Sequence, residues 1–125
     1  MKKFDLEERL IDFAVAVVNL VETLPQTKAG NHLGNQLLRS GTSPALNYGE
    51  ALGGESRSDF LHKIKLVLKE LRESHNCLRI IQKARISTEE NILRSVIQEC
   101  NELVSIFVKS VLTAQKNFES RTVKP

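Results

Sequence analysis

Tryptophan is absent from this 125-residue chain, tyrosine occurs once (Tyr48), and aromatic residues amount to 5% of the sequence. The core must therefore be assembled mainly from Leu, Ile, Val and Ala, which suits a helical bundle and argues against a sandwich or barrel. Cysteine is limited to Cys77 and Cys100, each at an apolar-flanked helical position, and both read as buried free thiols rather than a disulfide. Long hydrophobic runs are also missing. The longest, Phe13 to Val18, is too short to cross a bilayer, and Asp5, Glu7 and Glu8 sit where a signal peptide would be apolar. A cytoplasmic protein with no membrane association is expected, and the length fits one domain.

Enzyme signatures are lacking as well. Asp59 and His62 have the i, i+3 spacing of a helical metal-ligand pair, but a di-metal bundle needs two Glu-x-x-His units, and no second unit exists. Gly53-Gly54 follows a helical pattern rather than a strand and lacks the lysine of a phosphate loop. His32 lies among Gly and Asn, and His75 beside an apolar face, so each reads as a structural or surface histidine. No Ser/His/Asp or Cys/His arrangement can be assembled. The expectation is a protein without enzymatic activity, metal or cofactor.

What the chain does have is an uneven surplus of positive charge. Its net charge is +3, yet residues 56–86 hold eight Lys or Arg against three acids, while residues 1–25 hold three against five. Within the basic segment His62, Lys65, Lys69, Arg72, Asn76, Arg79 and Lys83 recur at alternating three- and four-residue steps with no carboxylate among them. On a helix these residues share one solvent face. One step around, Phe60, Ile64, Val67, Leu71, Leu78 and Ile81 form the buried seam, interrupted only by Ser74. Exposed helix faces usually interleave Glu with Lys, so a stripe of one sign points to a polyanionic partner; the alternative is ordinary solvated surface. Lys65, Lys69, Arg72, Arg79 and Lys83 are the candidate nucleic-acid contacts. No aromatic residue lies on this face, so backbone and shape would be read rather than sequence.

Four helices follow from period and punctuation. The first covers Leu6 to Leu24, with Asp5 as N-cap, Pro25 as stop, and Leu6, Leu10, Phe13, Val17, Leu20 and Leu24 as its seam. The second covers Ala29 to Leu52; four glycines and Pro44 weaken it and predict a kink near Ser40 to Gly41, and Gly53-Gly54 supplies positive φ for the reversal. The third starts behind Ser56 or Ser58 and reaches Ala84. The fourth starts at a capping box of Ser87 and Glu90 and reaches Phe118, with Leu93, Val96, Cys100, Leu103 and Phe107 as its seam. Short connections predict an all-α, antiparallel up-down-up-down four-helix bundle over residues 1–118, followed by a disordered tail over 119–125.

Two further patterns bear on function. Ile11, Val15 and Val18 lie on the first helix opposite its seam, and Val108 and Leu112 lie outside the seam of the fourth. Scattered exposed aliphatics are normal, but three stacked on one helix predict a subunit interface and a homo-oligomer. The second helix carries a seam written in polar residues, Gln36, Ser40, Ser43, Asn47 and Glu50, with Arg39 beside it. Its readings are a polar network fixing helix register, a subunit contact, or a small-molecule pocket around Arg39, Asn47 and Glu50.

At this second helix the sequence resembles a known family. The run Gln36-Leu37-Leu38-Arg39-Ser40-Gly41-Thr42-Ser43, then Asn47-Tyr48-Gly49-Glu50-Ala51, Asp59-Phe60 and Glu70-Leu71, is similar to the four-helix-bundle proteins encoded in intervening sequences of 23S ribosomal RNA genes. The likeness extends over about Asp5 to Phe118. It departs at Pro44, where the family usually has an aliphatic residue, and at Tyr48-Gly49-Glu50-Ala51, which replaces the commoner Ile-Ala-Glu-Gly. The resemblance implies an antiparallel four-helix bundle that assembles into a ring, often a pentamer, with no known catalytic activity. Similar bundles serve as accessory proteins of diversity-generating retroelements, basic pentamers that associate with a reverse transcriptase and nucleic acid. Together these readings predict a ring-forming bundle that binds nucleic acid, RNA before DNA, through its third helix. The alternative is a protein-binding scaffold or accessory subunit of a nucleic-acid-processing complex.

Overall fold

The computed structural model describes residues 5–122, with side chains as far as residue 119. The described residues form four helices: α1 (Leu6–Glu22), α2 (Lys28–Leu52), α3 (Arg57–Lys83) and α4 (Glu90–Thr122). Each helix packs on its neighbours in the cyclic order α1, α2, α3, α4, and α1 lies diagonally across from α3. This is the expected bundle, with α1/α2 on one side and α3/α4 on the other.

Side-chain caps set most of the boundaries. The carboxylate of Asp5 accepts from Glu8 N at 3.0 Å, Thr27 Oγ1 from Gly30 N at 3.0 Å, and Ser56 Oγ from Asp59 N at 3.1 Å. Each satisfies one of the backbone donors orphaned at a helix start. α4 differs from the capping box read from the sequence: Ser87 Oγ accepts from Glu89 N at 3.0 Å, two residues on rather than three. The helix accordingly begins later, at Glu90. α4 also runs past Phe118 to Thr122; of the tail expected over 119–125, residues 123–125 lie outside the described residues.

The reversals are also built differently from expectation. No described glycine has positive φ; Gly53, the α2 cap, sits at φ −92°. The left-handed residue is instead Arg85, at φ 56°, between α3 and α4. There Ile86 N donates to Ile81 O at 3.1 Å and Arg85 N to Gln82 O at 3.1 Å, the paired bonds of a Schellman cap in which glycine is the usual left-handed residue.

The core is aliphatic with two fully buried rings. Leu10, Phe13, Val17 and Leu20 of α1, Leu37 of α2, Ile64, Val67, Leu71, Leu78 and Ile81 of α3, and Leu103 and Phe107 of α4 are all enclosed. Leu61, rather than the expected Phe60, opens the buried face of α3; Phe60 is half-buried. Tyr48 meets Phe107 edge-on, with ring centroids 5.5 Å apart, a favoured aromatic geometry. α1 and α4 form the most lightly packed edge. Arg9 fastens it, donating to Glu99 through Nε at 2.7 Å and to both Glu99 and Glu102 through Nη2 at 2.8 Å.

Candidate nucleic-acid interface

Every member of the basic stripe, from His62 through Lys65, Lys69, Arg72, Asn76 and Arg79 to Lys83, is exposed. Helical geometry places them opposite the α3 core residues, and Lys65 to Lys83 spans about 27 Å at ~1.5 Å per residue. The acids of α3 that could cancel this charge point elsewhere. Glu70 and Glu73 face α2, where Arg39 binds both, Nη1 lying 3.0 Å from Glu70 Oε1. Lys63, on the same side, pairs with Glu50 of α2. Among the described residues none of Lys65, Lys69, Arg72, Arg79 or Lys83 has an ion-pair partner. Glu70 and Glu73 are thus engaged at the α2 edge of α3, while the cations of its outer face retain their field.

No Phe or Tyr ring among the described residues is exposed: Phe13 and Phe107 are buried, and Tyr48, Phe60 and Phe118 are half-buried. The face can therefore pair with phosphates but offers no platform for stacking unpaired bases.

The polar seam of α2 does not converge on one place. Ser40 is wholly buried and accepts from Ser74 Oγ at 2.9 Å, so the polar member of α2 and the polar break in the α3 seam are two halves of one contact. Asn47 Nδ2 donates to Ser43 Oγ at 2.8 Å within α2. Gln36 Oε1 accepts from Arg39 Nη2 at 3.4 Å, and Glu50 reaches Lys63. Arg39, Asn47 and Glu50 thus share no partner, and none of them lines a hollow described among these residues.

The opposite side of the bundle is apolar. Ile11, Val15 and Val18 are 41%, 52% and 38% exposed and share a hollow of about 310 Å³ with Ala14, Thr42, Ala45 and Leu46. Leu46, 68% exposed, was not singled out from the sequence; its spacing, four residues from Thr42 and eight from Leu38, was the available signal. Leu112 is also exposed, whereas Val108 is half-buried.

The remaining chemistry-bearing groups form no site. Cys77 and Cys100 are buried and unpaired, their Sγ atoms donating to Leu33 O at 3.5 Å and Leu71 O at 3.3 Å. Burial pushes the Cys77 thiol up and the Cys100 thiol to about 12, far from the thiolate a nucleophile needs. His32 and His62 are exposed and His75 half-buried. Among the described residues no three His, Cys, Asp or Glu side chains gather as a metal site, and no helix is long and apolar enough to cross a membrane.

Fold and surface define the class: an antiparallel four-helix bundle with one basic and one apolar side. The pattern of the 23S rRNA-intervening sequence protein family matches residues 2–109, and the chain belongs to that family. Its fold is shared with a protein of unknown function from the S23 ribosomal protein family of Bacteroides thetaiotaomicron, whose crystal structure superposes with a TM-score of 0.78 at 29% identity over 86% of this chain and 98% of the other. No curated protein matches the sequence.

Proposed function

We propose that the chain is a non-enzymatic, self-associating bundle that binds nucleic acid, RNA in the first instance, through the α3 face formed by Lys65, Lys69, Arg72, Arg79 and Lys83. The observation that carries the reading is the segregation of charge on α3: the cations of its outer face stand exposed and, among the described residues, without an ion-pair partner, while Glu70 and Glu73 are bound by Arg39. A duplex spanning the ~27 Å row could engage about 3 to 5 phosphates per bundle, giving nonspecific, salt-sensitive binding. Copies meet through the α1/α2 hollow, which leaves the basic side free and lets several faces act on one ligand. The test is binding to a structured RNA after reversing the charge of Lys69 and Arg72. Lys69→Glu/Arg72→Glu is expected to lose more than about tenfold in affinity. Unchanged binding would remove α3 from the interface. Failure of wild type itself to bind would favour the second reading, a protein scaffold or accessory subunit, for which the apolar hollow is the docking surface.

A further inference from the structure

α4 carries a second row like that of α3. Arg94, Gln98, Asn101, Ser105, Lys109, Leu112 and Lys116 follow one another at steps of four and three, all are exposed, and none is a carboxylate. Two of its acids, Glu99 and Glu102, turn toward α1 and are held by Arg9, and the other two, Glu90 and Glu119, stand at the two ends of the row. The two rows have a fixed register, because Ile81 shares a hollow with Leu93 at one end and Phe60 with Ala114 at the other. Antiparallel packing then sets Arg79 level with Arg94 and Lys65 level with Lys109. Adjacent packed helices have axes about 8–10 Å apart, so like charges stand level on neighbouring helices along the α3/α4 edge, and among the described residues none of the four has an ion-pair partner. Such repulsion is unfavourable in the free protein and is relieved by a polyanion.

We infer that the nucleic-acid face spans both helices, with Arg94 and Lys109 as phosphate contacts, and that its ligand is a duplex rather than a single strand. This rests on the proposed α3 interface. A single strand offers one phosphate row and flexible bases, and proteins that bind it add aromatic side chains for stacking; among the described residues no Phe or Tyr is exposed, and His62 is the one ring on the basic row. A duplex offers two phosphate rows flanking a groove and hides its bases, which matches two cation rows on a face without an exposed Phe or Tyr.

The experiment measures affinity and its salt dependence for a double-stranded RNA and for either of its strands chosen to be unstructured, using wild type, Arg94→Gln/Lys109→Gln, and Lys65→Gln/Lys69→Gln/Arg72→Gln/Arg79→Gln. Substitutions on exposed positions leave the fold intact, which circular dichroism and thermal melting verify. Wild type should prefer the duplex, and the α4 variant should lose on the order of tenfold in duplex affinity, with the log–log salt slope falling by about 2. An α4 variant that binds like wild type while the α3 variant is impaired would overturn the two-helix face and leave the α3 reading standing. Equal affinity for duplex and single strand would overturn the duplex assignment. Wild-type affinity and slope in the α3 variant would remove the α3 reading and this inference with it.

Discussion

Ser74 sits where the buried face of α3 would otherwise continue with Leu or Val, and it is tolerated because Ser40 of α2 receives its hydroxyl at 2.9 Å. Removing one partner leaves the other without it in a closed site, so Ser40→Ala should cost about 1–2 kcal/mol in urea denaturation. Ser40→Ala/Ser74→Ala should cost less than the two single changes summed, a coupling that a double-mutant cycle resolves. Glycines in the same helix respond to alanine in opposite directions. A Cβ on Gly34 would lie 3.5 Å from the nearest Val21 atom, an ordinary contact, whereas one on Gly41 would lie 2.7 Å from Val17 Cγ1. Gly34→Ala should therefore stabilise by up to about 1 kcal/mol through helix propensity. Gly41→Ala should destabilise by about 1–3 kcal/mol, because fully buried Val17 has no room to yield; chemical denaturation of both variants checks the sign. These features were only partly legible in the sequence. The polar spacing of α2 stands out at once, but that Ser40 meets Ser74 while Arg39 and Glu50 turn to separate partners depends on how α2 is rotated against α3.

At the scale of the helices, period and caps carry most of the information. Asp5 and Ser56 act as caps, and the seams of α4 and of α1 from Leu10 to Leu20 are buried as their spacing requires, although Leu6 is only half-buried and α1 ends at Glu22, short of the expected Leu24. The turns were less legible, because a short polar loop admits several backbone solutions. Gly53-Gly54 reverses the chain without positive φ, and the strained position falls on Arg85. Glycine removes the side-chain cost of that conformation, so Arg85→Gly should raise stability by about 0.5–1 kcal/mol, read as an increase in the denaturation midpoint with an unchanged slope. The α4 start shows the same limit: Ser87 and Glu90 have capping-box spacing, but Ser87 Oγ engages Glu89 N and the helix begins one residue after it.

Across the whole molecule, the proposed roles fall on two sides of the bundle: α1/α2 carries the apolar hollow proposed for self-association, and α3/α4 the cations. Val15 lies in the hollow, half-exposed and away from the core, so Val15→Asp should leave the fold unchanged while shifting sedimentation equilibrium toward monomer. Retained full affinity for nucleic acid in that monomer would argue against a mechanism that depends on assembly. The composition and the one-sided charge of α3 made the fold class and the candidate face readable before any coordinates. What they could not convey was where Glu70 and Glu73 turn, which decides whether the positive field survives. The most direct test of the central claim is the salt slope of duplex RNA binding by wild type and by Lys65→Glu/Lys69→Glu/Arg72→Glu/Arg79→Glu. Wild type should show a log–log slope of about −3 to −5 that collapses toward zero in the variant; equal slopes for the two proteins would contradict binding through α3.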